Sequence, residues 1–472
     1  MLILTLKKEW LESKREGRTL WLSSIVLLLL GCALLSSWHS YEQVQTQKKQ
    51  VIKSERERWL NQGEKEPHAA AHYGVYIIKP DTALSVLDPG LSDYQGAVLR
   101  LEAHKKNDTL FRSIQDAIQM QRFGDLNPAF ILQTLLPLLI ILLGFHSIAA
   151  ERESGTLKQL LASGLCPKKF FTAKVFALTG LALLFFAPVV LYIIYAFLFG
   201  DNLLADRSAL FIVSYGVYIF IWALLTLTVS SYARTSRSAL IILLVIWALA
   251  CLLVPKFAIE NATQQYPTES SQVFQSKLES EIYTPVRQQA IAKFKQYTLD
   301  TYGVDNVDQL PFAWAGAQLQ FGEQFSDKVF DRLFGQRQKQ LEAQSLHYQS
   351  AAIFSPFIAL QTISMSAAAT DLAHHQLFSN AGEAYRRLMQ ITLNSDLKEN
   401  GLNGLNSRKS NKSYQGDHHL WEKTPEFTYQ YPAIAQLSSH YGRAVICLIL
   451  WLAALISLSY FAIRRMENEG QR

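Results

Sequence analysis

Six apolar runs divide the chain, near Leu20–Trp38, Ala129–Ala150, Val175–Phe199, Ala209–Ser230, Ala239–Val254 and Ala444–Ile463. Each approaches the length an α-helix needs to cross about 30 Å of hydrocarbon at about 1.5 Å per residue. Backbone in lipid must satisfy its own hydrogen bonds, so runs of this kind become membrane helices. The fold class that follows is mainly α, a polytopic membrane protein with six transmembrane helices. The fifth run is short, and its helix begins earlier or continues past Pro255.

Basic residues set the orientation, because short cytoplasmic flanks carry an excess of Lys and Arg. Lys7, Lys8, Lys14, Arg15 and Arg18 precede the first run. Arg152, Lys158, Lys168, Lys169 and Lys174 lie between the second and third, Arg234 and Arg237 between the fourth and fifth, and Arg464, Arg465 and Arg472 after the sixth. All four groups fall on one side if every run crosses. The only short segment on the other side, "DNLLADRSA", has one Arg and two Asp. Both termini are therefore expected in the cytoplasm of a cell (inner or plasma) membrane. The net charge of +6 belongs to these flanks and is no nucleic-acid signature.

The chain divides on this reading into 1–38 (N-terminal arm and first span), an extracytoplasmic insertion 39–128, spans two to five over 129–254, a second extracytoplasmic insertion 255–443, and 444–472. The arm places Leu2, Ile3, Leu6 and Trp10 on one helical face. It either lies in the headgroup layer or is an ordinary cytoplasmic lead-in. "LLLGC", residues 28–32, has Leu30 before the Gly and apolar residues after Cys32, so the first run reads as an uncleaved anchor rather than a lipoprotein leader.

The insertions read as helix-rich with minor β structure. Residues 40–62 have no Gly or Pro and continue the first membrane helix outward. "HYGVYIIKPDTALSVLDPGLSDYQG" alternates β-prone residues with turn dipeptides and predicts a short strand or two. Segments 270–299 and 313–349 predict long amphipathic helices, and 395–420 a mobile loop. Residues 351–368 are apolar enough to suggest a seventh span. Pro356 breaks them, and a seventh crossing reverses the charge pattern, so an interfacial or partly re-entrant helix is expected.

Little in the chain carries chemistry. No GxxxxGK[ST] phosphate loop, GxSxG elbow, HExxH or CxxC occurs. Four cysteines, none in the long polar segments, build neither a disulfide framework nor a Cys-based zinc site there. Ionisable residues are nearly absent from the spans, His146 excepted, which weighs against ion-coupled transport. The best metal candidates are Asp371 and His374 in "TDLAHHQLF", with His375 and Glu383 nearby. Polar residues on the exposed face of an amphipathic helix explain them better.

The short connection after the second span, "AERESGTLKQLLASGLCPKKFFTAK", is more informative. Gly155-Thr156 can break the helix at the membrane surface. A short helix can follow with Leu157, Leu160 and Leu161 on one side, an apolar ridge suited to a groove on a soluble partner. With the preceding "LLPLLIILLGFHSIA", it resembles the permease subunits of type-2 ATP-binding-cassette exporters, in the branch with large extracytoplasmic insertions of unknown function. In that family the second span runs into a Glu-rich Gly-Thr-Leu turn, then basic residues and a Lys at the third span. Glu151, Glu153, Gly155, Thr156, Leu157, Lys168, Lys169 and Lys174 match.

The resemblance implies a coupling helix within 151–168, and coupling to an ATPase through Glu151, Arg152, Glu153, Gly155, Thr156, Leu157, Leu160, Leu161, Lys168 and Lys174. It implies ABC ATPase subunits as partners, a homodimer or a heterodimer with a similar permease, and membrane lipid around the spans. No cofactor is expected on this chain; ATP and Mg belong to the partner. Two other readings stand beside an exporter subunit. ATP hydrolysis could move the outer domain mechanically without substrate passage, or the outer domain could be a membrane-anchored enzyme.

Overall fold

The computed structural model describes Lys8 and residues 17–110, 126–199, 205–402 and 414–470. The apolar face expected for the N-terminal arm, Leu2, Ile3, Leu6 and Trp10, lies outside these residues, as does the middle of the loop expected over 395–420. Six helices are long and apolar enough to cross a membrane, at the six places expected. They are α1 (Gly17–Leu60), α3 (Pro128–Glu153, with an internal turn), α5 (Pro167–Phe199), α6 (Ala205–Tyr232), α7 (Ser236–Gln265) and α14 (Ser438–Gly470). Helices α3 and α6 form the centre of the bundle, and α1, α5, α7 and α14 surround them with more exposed faces.

Helix α7 does continue past Pro255. A π turn at Leu249–Leu253 precedes that proline, as another at Ile131–Leu135 precedes Pro137 in α3. Proline has no N–H, so each site frees carbonyls in the turn before it. Neighbouring helices take them up. Tyr218 OH donates to Gln133 O at 2.7 Å, Trp247 Nε1 to Thr134 O at 3.0 Å, and Ser355 Oγ to Ala250 O at 2.6 Å. Both kinks thus become polar anchor points inside an apolar bundle.

One end of the bundle carries a polar lobe built from both long insertions together. Helix α1 runs unbroken into it, as its composition predicts. Helix α2 (Pro67–Tyr73) follows, with three antiparallel strands in the order β1 (Val75–Ile78), β2 (Val98–Glu102), β3 (Lys105–Lys106). Val75 pairs with Leu101 and Ile78 with Val98. Ile77, Leu99 and Leu101 turn to the buried face and pack on Phe378. That phenylalanine belongs to α12 (Leu372–Asn400), which lies along α10 (Trp314–Ser350).

The helix predicted over 270–299 is two helices, α8 (Ser271–Ile282) and α9 (Pro285–Tyr302). Pro285 disfavours helical backbone at the residue before it, and Thr284 instead caps α9. The expected loop also begins later, since α12 continues to Asn400. Leu397 is buried there, and Asp396 accepts from Tyr414 OH at 2.6 Å. A short helix, α13 (His418–Lys423), closes the lobe by setting Trp421 against Trp59, whose Nε1 donates to Trp421 O at 2.9 Å.

Residues 351–368 do not form a seventh span. Helix α11 (Pro356–Ala368) has 13 residues, about 20 Å at the usual rise and too short to cross. It packs between α6 and α14 with Ile358, Leu360, Ile363 and Ala367 fully buried. The chain enters it from α10 and leaves it into α12, both in the lobe, so α11 does not cross the bundle. Its apolar composition reflects burial in protein rather than in lipid.

Charged groups bolt the lobe to the spans. Arg207, at the start of α6 and 1% exposed, donates to Ser366 O at 2.9 Å and Pro432 O at 2.7 Å. Asp88 reaches inward from the first insertion. It accepts from Gly90 N at 3.0 Å, from Gln133 Nε2 at 3.4 Å, and from Ser364 Oγ. Tyr215 OH completes the cluster, 3.0 Å from Ser364 Oγ and 2.7 Å from Gln133 Nε2. Burial pushes the Asp88 carboxyl above the usual carboxylate range. Asp88→Ala strands these donors and is expected to lower stability by about 1–3 kcal/mol. Asp88→Asn costs less, because burial already disfavours the charge. Thermal unfolding of the purified protein checks that order.

Candidate functional site

The end of the bundle opposite the lobe is organised around residues 144–174. Helix α3 turns after Gly144, where the packing is too close for a side chain. A Cβ there would lie 2.5 Å from Leu178 Cδ2 and 2.8 Å from Thr226 Cγ2. Ser230 of α6 fills the polar needs of this turn. Its hydroxyl donates to Phe145 O at 2.8 Å and accepts from Ile148 N at 3.1 Å and Ala149 N at 3.0 Å. The chain resumes as a single helical turn, Ala149–Glu153.

That turn carries the Glu-Arg-Glu cluster, and each side chain holds a different span. Glu151 faces α5, with Lys174 Nζ at 3.7 Å from its Oε1 and Lys8 Nζ at 3.3 Å. Lys174 is itself buried at 3% exposure and donates to Ser147 Oγ at 3.2 Å. Arg152 Nη1 reaches the C-terminal end of α6, donating to Ser231 O and, at 3.1 Å, to Ala233 O. Those carbonyls end a helix and have no partner within it, so a cation there is favourable. Glu153 Oε2 accepts from Ser236 N at 3.0 Å and Ser236 Oγ at 3.1 Å, which places a carboxylate on the N-terminus of α7.

Gly155 then reverses the chain with φ +79°, in the left-handed region where a Cβ is costly, and α4 (Thr156–Ala162) begins. Thr156 Oγ1 closes the turn, donating to Glu151 O at 3.1 Å and lying 2.8 Å from Ser154 Oγ. The break therefore has two parts, after Gly144 and at Gly155, where the sequence predicted only the second.

The leucine ridge points the other way from that expected. Leu157 is 2% exposed inside the chain's own core, and Leu160 and Leu161 pack against that core. These leucines hold α4 to the bundle, beside α14. The surface left for a partner is largely polar, with Thr156, Lys158 and Gln159 on α4 and then Lys168 and Lys169 at the start of α5. Helical spacing showed that the leucines share a face, but not what covers it. Ser230 and Ser236, which complete the site, had no sequence signal, since serines near membrane ends are common.

Asp371 and His374 are paired with each other, and His374 is buried rather than on the polar surface that the sequence suggested. Asp371 caps α12, accepting from His374 N at 2.9 Å and from Ser366 Oγ, while His374 Nδ1 lies 2.5 Å from its Oδ1. Burial would raise its carboxyl, but these hydrogen bonds and the His374 ring hold it well below the usual range. Beside it, α10, α11, α12 and α14 enclose a cleft of about 290 Å³ lined by Tyr348, Met365, Gln376, His440 and Arg443.

Two family models match the chain. One, described as ABC-2 family transporter protein, covers residues 104–304 and so includes spans two to five and the whole Glu-Arg-Glu site. The other, a domain of unknown function named DUF3526, covers residues 272–430, the second insertion with α11 and α12. Searches of curated proteins and of solved structures returned no match. Together with six membrane-length helices, these matches support a membrane permease of an ABC transporter of the type-2 class with an additional DUF3526 domain.

Proposed function

We propose that a separate ABC ATPase, holding ATP and Mg, drives this permease by pushing on residues 149–163, and that the subunit works as an exporter in a dimer, homomeric or heteromeric, with both termini in the cytoplasm. The match to the ABC-2 permease model supports an ABC ATPase partner. The observation that carries the coupling role is the division of labour in the Glu-Arg-Glu turn. One five-residue helix grips α5 through Glu151, α6 through Arg152 and α7 through Glu153. A force on α4 is then shared among three spans instead of bending a loop.

The same geometry separates docking from transmission. Glu151 and Glu153 have partners within the chain, so reversing their charge would disturb the bundle itself. Lys158 is exposed. Lys158→Glu is therefore expected to weaken co-purification of the ATPase by about tenfold or more, which is about 1.4 kcal/mol, while thermal unfolding of the permease stays unchanged. An ATPase retained at the wild-type ratio counts against docking on this face.

A second reading is favoured by one feature of the fold. Helix α1 passes without a break from the membrane into the lobe, and Arg207 and Asp88 fasten the lobe to the bundle. Movement of the spans would move the lobe as well, whether or not a substrate passes between two subunits. Transport measured in vesicles alongside lobe motion followed by spectroscopic distance labels discriminates the two.

A further inference from the structure

Three histidines meet in the lobe, far from the coupling site. His68 and His72 stand one turn apart on the same face of α2. His104 comes from the turn between β2 and β3, where its φ of 63° is unusual for a residue with a side chain. His68 Nε2 lies 3.2 Å from His72 Nε2 and 3.2 Å from His104 Nε2. One ring nitrogen from each of the three falls within 4.8 Å of the others, the only such group of three His, Cys, Asp or Glu among the described residues.

Protons alone do not satisfy this arrangement. A neutral imidazole has one N–H. If His68 Nε2 carries it, it can be shared well with only one of its two neighbours. If Nε2 is bare and accepts from both, the proton sits on Nδ1, which is buried without a hydrogen-bond partner. A cation at the centre of the three nitrogens resolves the conflict. Tetrahedral zinc with Zn–N near 2.0–2.1 Å sets its ligand nitrogens about 3.3 Å apart, close to the two 3.2 Å separations seen here.

The surroundings suit a metal ligand too. Metal-bound histidines commonly turn their other nitrogen to a carboxylate, which orients the ring. Glu323 Oε1 lies 2.5 Å from His104 Nδ1, at ion-pair distance though not aligned as a hydrogen bond, and accepts His104 N–H at 3.0 Å. Glu323 is 1% exposed and takes Arg386 Nη1 on its other oxygen at 3.1 Å. His72 is exposed, which leaves a side of the cluster open to water. Three imidazoles with no Nε2 carboxylate favour zinc, copper or nickel over magnesium or calcium.

We propose that His68, His72 and His104 bind one divalent transition-metal ion, with zinc the best match and water in the remaining position. The ion would clip α2 and the β2–β3 turn together and, through Glu323, join the first insertion to α10 of the second. The site is independent of the ATPase reading and stands whether or not that holds.

The test uses the full-length, tag-free chain in detergent, stripped with a chelator and titrated with Zn²⁺ by calorimetry and with Co²⁺ by absorption. The expected result is one equivalent per chain and the visible bands of tetrahedral Co²⁺. His72→Ala changes an exposed side chain and is expected to weaken binding at least tenfold. His419→Ala, an exposed histidine elsewhere in the lobe, leaves it unchanged. Less than one equivalent on the wild-type chain overturns the proposal. So does wild-type affinity in both His72→Ala and His68→Ala, with folding verified by tryptophan fluorescence; the three rings are then packed neutral imidazoles.

Discussion

Arg386→Met is expected to destabilise the lobe by about 3–5 kcal/mol, because it removes one side of a buried ionic cluster and leaves the other side charged. Arg386 is 1% exposed. It pairs with Glu323 at 3.1 Å, with Glu383 at 2.9 Å and with Asp327, side chains that are 1%, 8% and 17% exposed. Among the described residues, the other group at ion-pair distance from Glu323 is the His104 ring, at 2.5 Å. Arg387, beside it, is 30% exposed and pairs with Asp331, which is 60% exposed, and with Glu383 Oε1 at 2.8 Å. Arg387→Ala is expected to cost less, about 1–3 kcal/mol, because Glu383 keeps its bonds to Arg386 and the Asp331 pair is largely solvated. Denaturant unfolding of the purified chain, read by tryptophan fluorescence, measures both. Equal losses contradict the account.

The same cluster sets a pH dependence. Burial would raise the Glu323 carboxyl, but His104 and Arg386 outweigh it and hold it below the usual range. A depressed carboxyl contributes stability that is present above its unfolded value, about 4.3, and is lost as pH falls through the folded value. Asp327 acts with the opposite sign, since burial raises it despite Arg386 and Arg387, and acid relieves part of its cost. The lobe is therefore expected to weaken below about pH 4, less steeply than Glu323 alone would dictate.

Arg152→Ala carries the second large effect, this time on function. It removes the donor to Ser231 O and Ala233 O and so frees the end of α6 from the Glu-Arg-Glu turn. In the proposed mechanism the ATPase still docks, because the exposed face of α4 is untouched, but the stroke no longer reaches α6. The expected outcome is an intact complex whose transport per ATP hydrolysed falls about tenfold, about 1.4 kcal/mol of lost coupling. Loss of the complex itself, with transport per bound ATPase unchanged, would assign Arg152 to docking and remove it from transmission.

Much of this fold was legible in the sequence because the membrane makes harsh demands. Runs such as Leu20–Trp38 have few alternatives to a spanning helix, and the lack of Gly or Pro through residue 60 carries α1 outward. Other elements were ambiguous for a physical reason. The 351–368 segment is apolar because α6 and α14 bury it, and composition does not distinguish protein from lipid as the apolar solvent. The leucines of α4 showed their common face but not its neighbour. Single groups such as Asp88 and Arg207 look like loop charges until tertiary contacts bury them. The histidine cluster was not read from the sequence, because its third member lies 36 residues beyond His68, across the sheet.

The central claim is that a separate ATPase works on the exposed face of α4. A photo-crosslinking amino acid in place of Gln159, which is exposed on that face, tests it most directly when activated in intact cells. The account predicts an adduct whose second component, sequenced by mass spectrometry, is an ATPase with a GxxxxGK[ST] phosphate loop, and predicts none from the same group in place of Tyr297, exposed in the lobe at the other end. No ATPase adduct from position 159, with the chain normally inserted, or an equal yield from both positions, would contradict it.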